Sequence, residues 1–163
     1  MITSRRDYIM RILDEVGRLL ARVSMKRKKG DTDDTALETV VFGMQRLFNL
    51  EADQIFRLTP DQHFAMLADD ETPEISRDKV LMYAALSAEA GHVYARQGNA
   101  LMARATFTNA LRFTLKARLR FTAEGWPAFA PEVSALVKAL ENEPLDPETA
   151  KLVEDYTRAV APS

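Results

Sequence analysis

Glu89, His92 and Arg96 stand three and four residues apart in a segment with helical composition, so all three side chains fall on one helix face. An imidazole and a guanidinium one turn apart can hold a carboxylate through charge-assisted hydrogen bonds. That chemistry suits a peptide C-terminus or an acidic side chain. The alternative is a surface arginine at the negative end of a helix dipole. A second set, Arg112, Lys116 and Arg120, repeats every four residues, with Arg104 two turns earlier. Such a stripe can meet phosphate, or can pair with acidic segments of the same chain. No aromatic side chains suited to base stacking interleave with it and the chain is acidic overall, so the pattern speaks against nucleic acid.

Other candidates fail on spacing. "DTDD" at Asp31 opens like a calcium loop, but Ala36 and Phe42 occupy the positions that need Gly and Glu. The chain has no cysteine and two histidines, His63 and His92, which leaves no thiolate site and argues against a protein-only metal centre. There is no glycine-rich phosphate loop, G-x-S-x-G or H-E-x-x-H. The expectation is a non-enzymatic protein without a cofactor. Its rival is an enzyme or small-molecule binder with a closed polar pocket around Glu89, His92 and Arg96.

The elements that must position these residues are helices. The 163 residues are 47% apolar and rich in Ala, Leu, Arg and Glu, with Gly and Pro confined to a few breaks. This composition predicts one all-α domain over residues 1–163, a compact antiparallel helical array. An amphipathic helix is expected over 7–28, with Ser4 as its cap and Gly30 as its stop. Asp31, Thr32 and Asp33 are caps for a second helix, followed by a short turn over "EADQIFRL". Thr59, Pro60 and Gln62 open a further short helix. A long hairpin follows over 77–121, broken at Gly98-Asn99, and capping helices close the chain over 131–160. Trp126, between Gly125 and Pro127, is expected to pin its loop to the core.

Charge alternates along the chain. Residues 1–30 carry nine basic and three acidic side chains, a net of +6, and residues 31–78 three and twelve, a net of −9. Residues 79–121 carry seven and one, again +6, and residues 122–163 three and eight, or −5. Opposite blocks can attract within the fold or across a homodimer. Lys26 to Lys29 end the first helix, and a basic amphipathic helix can lie on anionic lipid; Asp7, Asp14 and Glu15 on the same polar face argue against that partner. Arg5, Arg6 and Asp7 interrupt the first apolar run, so no signal-peptide core forms and a cytoplasmic protein is expected.

Residues 84–117 resemble one tetratricopeptide (TPR) repeat. Gly91 and Tyr94 match the first helix of that signature, and Ala103 and Phe107 the second. Gly98 falls in the turn, and Ala110 stands where a second small residue belongs. Ser87, Ala90 and Leu115 depart from the pattern, and without the closing proline the second helix is free to run on to Phe121. The resemblance implies a hairpin whose first helix lines a peptide-binding groove, with Ala85, Ala88, His92, Ala95 and Arg96 facing it. It implies a protein or peptide partner, or a second copy of the chain. One repeat cannot bury both faces, so the flanking helices must act as caps. Residues from about 5 to 120, beginning with the "RRDYIMRILDEVGRLLARV" helix, also resemble a family of small uncharacterised bacterial proteins. That resemblance implies no activity.

Overall fold

The computed structural model describes residues 5–31, 34–69, 72–121 and 124–161. Ser4, Thr32 and Asp33, expected as caps, lie outside them. Among the described residues the chain is all helix: α1 (Arg5–Lys28), α2 (Ala36–Phe48), α3 (Ala52–Arg57), α4 (Pro60–Ala68), α5 (Pro73–Arg96), α6 (Ala100–Arg120), α7 (Val133–Ala139) and α8 (Pro147–Val160).

Helix starts follow local chemistry. The Gln62 side chain accepts from the Thr59 amide at 2.8 Å, and the Thr59 hydroxyl accepts from the Gln62 amide at 3.2 Å, a reciprocal box that opens α4. The Asn99 side chain caps α6, accepting from the Met102 amide at 3.2 Å. Asp146 caps α8 through both the amide and the hydroxyl of Thr149. The expected start of α5 at residue 77 is corrected to Pro73. The Thr72 hydroxyl caps it and proline takes the first helical position, so the polar run before Arg77 is already helix. The first of the capping helices expected over 131–160 begins at Val133 rather than at residue 131 and ends at Ala139.

Helix α5 lies at the centre. Sixteen of its 24 residues are buried, which leaves no solvent face over most of its length. It packs against α1, α2, α4 and α6. Its partner α6 runs antiparallel: Tyr83 meets Phe113, Ser87 meets Asn109 and Gly91 meets Phe107, so position falls on one helix as it rises on the other. Gly98, at φ +77°, turns the chain between them.

Two apolar layers lie on either side of this hairpin. One joins α1, α2, α3, α4 and α5 with Phe113 and Ala117 of α6. The other joins α6 to Leu136 of α7 and to Leu140 just after it, with Leu152, Val153 and Tyr156 of α8 half-buried against it. In the first layer α1 buries Ile12, Leu13, Val16 and Leu20, and its Val23 is buried in a small cluster with Ala36 and Val93. At roughly 1.5–3 kcal/mol for each fully buried large apolar side chain, that stripe holds α1 in place. The approach of α2 is close because residue 43 is glycine: a Cβ there would lie 3.2 Å from Leu86 and 3.3 Å from Val16.

Candidate interaction surfaces

The structure separates the three residues of the expected groove. Glu89 is buried, and both its carboxylate oxygens accept from Arg27 of α1, at 2.8 and 2.9 Å. This pairing holds the Arg27 pKa above its ordinary value, against the effect of burial. His92 is half-buried, edge-on to the Phe107 ring at 5.0 Å. Burial pushes its pKa down; the Arg27 cation adds to that and Glu89 opposes it. Arg96 is exposed near the end of α5, with no ion-pair partner among the described residues.

The groove face is occupied over its first half, while Ala95 and Arg96 at its end are exposed. Ala85 is in the main core and Ala88 packs with the α6 layer. Val93 is buried with Val23 and Ala36. In place of a concave wall, α5 is a central strut, because α1 and α2 cover the side that a stacked repeat would leave open.

What remains open is the hairpin end. A cleft of about 270 Å³ is lined there by Ala95, Ala103, Phe107, Ala139, Asn142 and Glu143, among others. Beside it in sequence, in the first turn of α6, Leu101 is 81% exposed and Met102 38% exposed. A second depression, of about 410 Å³, lies between α2 and α3; Arg46, tied to Glu15 of α1 at 3.0 and 3.1 Å, is among its walls, and Phe42 stands exposed at its edge.

The basic stripe of α6 is engaged by neighbouring elements, with Arg112 and Lys116 half-buried and Arg120 exposed. Arg112 pairs with Glu148 of α8 at 2.5 Å and reaches Asp61 of α4 at 4.0 Å. Lys116 lies 3.5 Å from Asp61 and 3.9 Å from Glu148, and stands over the Phe64 ring. Arg120 stands over Phe64 and Phe121. Arg104 donates to the carbonyls of Leu140, Glu143 and Pro144, fastening the segment between α7 and α8. Two helices with no common core are thus joined through one pair of cations.

The loop after α6 is held by the residue expected to hold it. The Trp126 ring packs against the main core and meets two guanidinium groups, Arg118 at 4.2 Å and Arg77 at 5.3 Å. Arg77, itself buried, donates to the carbonyls of Glu124 and Gly125.

One polar cluster had no sequence signal. His63 Nε2 lies 2.6 Å from the Ile55 carbonyl, and Nδ1 lies 3.3 Å from the Tyr83 hydroxyl. The Nε2–H tautomer satisfies both contacts, with Tyr83 donating to Nδ1. Tyr83 in turn accepts from the Asn109 amide at 3.2 Å, and Ser87 lies 3.5 Å from the same amide. Burial pushes the Tyr83 pKa up, which suits a hydroxyl that stays protonated. Phe48 and Phe113 pack against these rings. The cluster joins α3, α4, α5 and α6 with both imidazole nitrogens engaged, a structural arrangement.

Among the described residues no group of His, Cys, Asp and Glu is placed to hold a metal ion, and no helix is long and apolar enough to cross a membrane. No protein-family model, curated protein or solved structure matches the chain.

Proposed function

We propose that the protein is a non-enzymatic interaction or scaffolding module of the cytoplasm, a helical array built on a TPR-like hairpin, that binds a protein or peptide partner at the free end of that hairpin. The observation that carries this reading is Leu101. It is 81% exposed, the most exposed large apolar side chain among the described residues, and it follows Ala100, which with Ala103 and Phe107 lines the cleft. A large aliphatic side chain held out by a rigid helix, one residue from the wall of a cleft that mixes apolar and polar side chains, gives a partner both a knob to cover and a hole to fill. Arg96, free of internal pairing, supplies a cation for a partner carboxylate.

The TPR-like reading is supported by the contact between Gly91 and Phe107 and by the Gly98 turn. The non-enzymatic reading is supported by the fate of Glu89, whose carboxylate is committed to Arg27 and closes no pocket with His92 and Arg96. Self-association belongs to the same proposal, since the free hairpin end of one copy is available to another.

The test is affinity capture from the native host with two baits, wild type and Leu101→Asp/Arg96→Glu, followed by titration of the purified partner. The expected result is a partner that binds the wild type and loses at least about tenfold in affinity, 1.4 kcal/mol, on the variant. Equal binding to a correctly folded variant removes the hairpin end as the surface. Light scattering on both proteins reads self-association; a strict monomer at high concentration removes the homodimer.

A further inference from the structure

The two basic blocks of the chain meet different fates. On α6 the cations are absorbed by Asp61, Glu148, backbone carbonyls and aromatic rings. On α1 they are left in solvent. Arg5, Arg6, Arg11, Arg22, Lys28 and Lys29 are exposed, and none has an acidic partner among the described residues. Of the three carboxylates on the helix, Asp14 pairs with Arg18 and Glu15 is held in a two-point contact by Arg46 of α2, while Asp7, exposed in the first turn, offsets one cation and leaves the face net basic. Met10 and Met25 stand on this helix at 48% and 55% exposure, among the cations.

From these observations we infer that the outward face of α1 docks on an anionic phospholipid surface. The apolar stripe of α1 is consumed by the core, so the helix does not embed; it lies against the headgroups by charge, with Met10 and Met25 entering the interface. At 1.5 Å per residue Arg11 and Lys29 stand about 27 Å apart along the helix, and with Arg22 they fall on the side opposite the buried stripe, where they can touch one surface together. The methionines favour lipid over nucleic acid. A phosphate backbone offers a thioether nothing, whereas a bilayer interface takes it up. This contact is independent of the hairpin-end surface, and would bring a module docked through α1 to the membrane with its hairpin end still free.

The experiment is co-sedimentation of the full chain with large unilamellar vesicles of phosphatidylcholine, with or without about 30 mol % phosphatidylserine, at about 50 mM and about 500 mM salt. Binding is expected only to the anionic vesicles, and only at low salt. Each charge near such a surface is worth roughly fivefold in partition, so reversing two, Arg11→Glu/Arg22→Glu, which changes the charge by four, is expected to weaken binding on the order of several hundredfold. A control with the same change in net charge, Lys138→Glu/Lys151→Glu on α7 and α8, is expected to stay within about twofold of wild type. Circular dichroism verifies that both variants are helical. Three outcomes overturn the inference: no sedimentation with anionic vesicles, equal loss in the two variants, or tighter face-dependent binding to a DNA duplex or to poly-glutamate than to vesicles. The last would move this face to a nucleic acid or to an acidic protein.

Discussion

The ring of Phe107 occupies the space in which a side chain on residue 91 would begin. A Cβ built on Gly91 would lie 2.7 Å from both Cδ1 and Cε1 of that ring. The two central helices approach this closely because residue 91 has no side chain, and His92 then closes on the same ring from its edge.

Gly91→Ala is therefore a test of packing against propensity. In a helix interior alanine is favoured over glycine by about 0.5–1 kcal/mol. Overpacking a well-filled contact costs typically about 1–3 kcal/mol. Packing wins here, because an aromatic ring must move as a body and its surroundings are full. The expected result is a net loss of about 1–2 kcal/mol in urea unfolding. The Gly91→Ala/Phe107→Leu double variant should lose less than the sum of the single variants. Strict additivity would show that the ring yields freely.

Arg27 and Glu89 make the second prediction. Glu89 is buried and Arg27 is about 30% exposed in its side chain, so breaking the pair from the arginine side strands a charge inside the fold. Arg27→Ala is expected to cost about 3 kcal/mol, at the low end for a buried pair because Arg27 keeps some water. Arg27→Met/Glu89→Met, which removes both charges and keeps the volume, is expected to fall within about 1 kcal/mol of wild type. Equal losses in the single and double variants would show that side-chain packing alone, without the charges, joins α1 to α5.

These two contacts mark how far the sequence can be read. The helices were legible because apolar spacing and cap chemistry are local: Thr59 with Gln62, Gly98 with Asn99, and the stripe from Ile12 to Val23 all lie within one element. The packing of Gly91 on Phe107 was legible because the repeat pattern names both positions. The fate of Glu89 was not, since its partner stands 62 residues earlier on a helix whose many cations are equivalent in sequence. The His63–Tyr83–Asn109 cluster was hidden for the same reason: its members come from three helices and none is unusual alone. One signal was there to be used. Between Val80 and Val93 every face of α5 carries apolar or small residues, which is the pattern of a central helix rather than of a groove wall.

The junction of α4, α6 and α8 gives the third prediction. Asp61 is 81% exposed in its side chain and Arg112 only 16%, so the two ends of this contact differ in worth. Asp61→Asn is expected to cost under about 1 kcal/mol, as exposed ion pairs do. Arg112→Ala removes the buried stem as well as the charge and is expected to cost about 1–2 kcal/mol. Hydrogen exchange should show faster opening of α8 amides in Arg112→Ala than in Asp61→Asn. Equal protection of α8 in the two would mean that Leu152, Val153 and Tyr156 hold that helix without the ionic contact.

The pH dependence of stability turns on His92. Its folded pKa lies below the ordinary 6.5, because burial disfavours the imidazolium, the Arg27 cation repels it, and Glu89 recovers only part. In the unfolded chain the same histidine titrates near 6.5. Below that value the unfolded state binds a proton that the folded state resists, so falling pH favours unfolding. The contribution of the neutral imidazole is fully present above about pH 6.5 and is lost as pH falls to the depressed folded value, where it levels off. Asp146 has the opposite charge type and the same sign. Partial burial works against its carboxylate, but the hydroxyl and amide of Thr149 outweigh that and hold its pKa below the ordinary 3.8. Its share is present above 3.8 and is lost only as pH falls through that lower value, well below the histidine window. Urea midpoints measured from about pH 8 to about pH 5 should therefore fall for the wild type, and fall less for His92→Gln, which cannot take up the proton. Parallel curves for the two proteins would place the acid sensitivity elsewhere and show that His92 meets no penalty when charged.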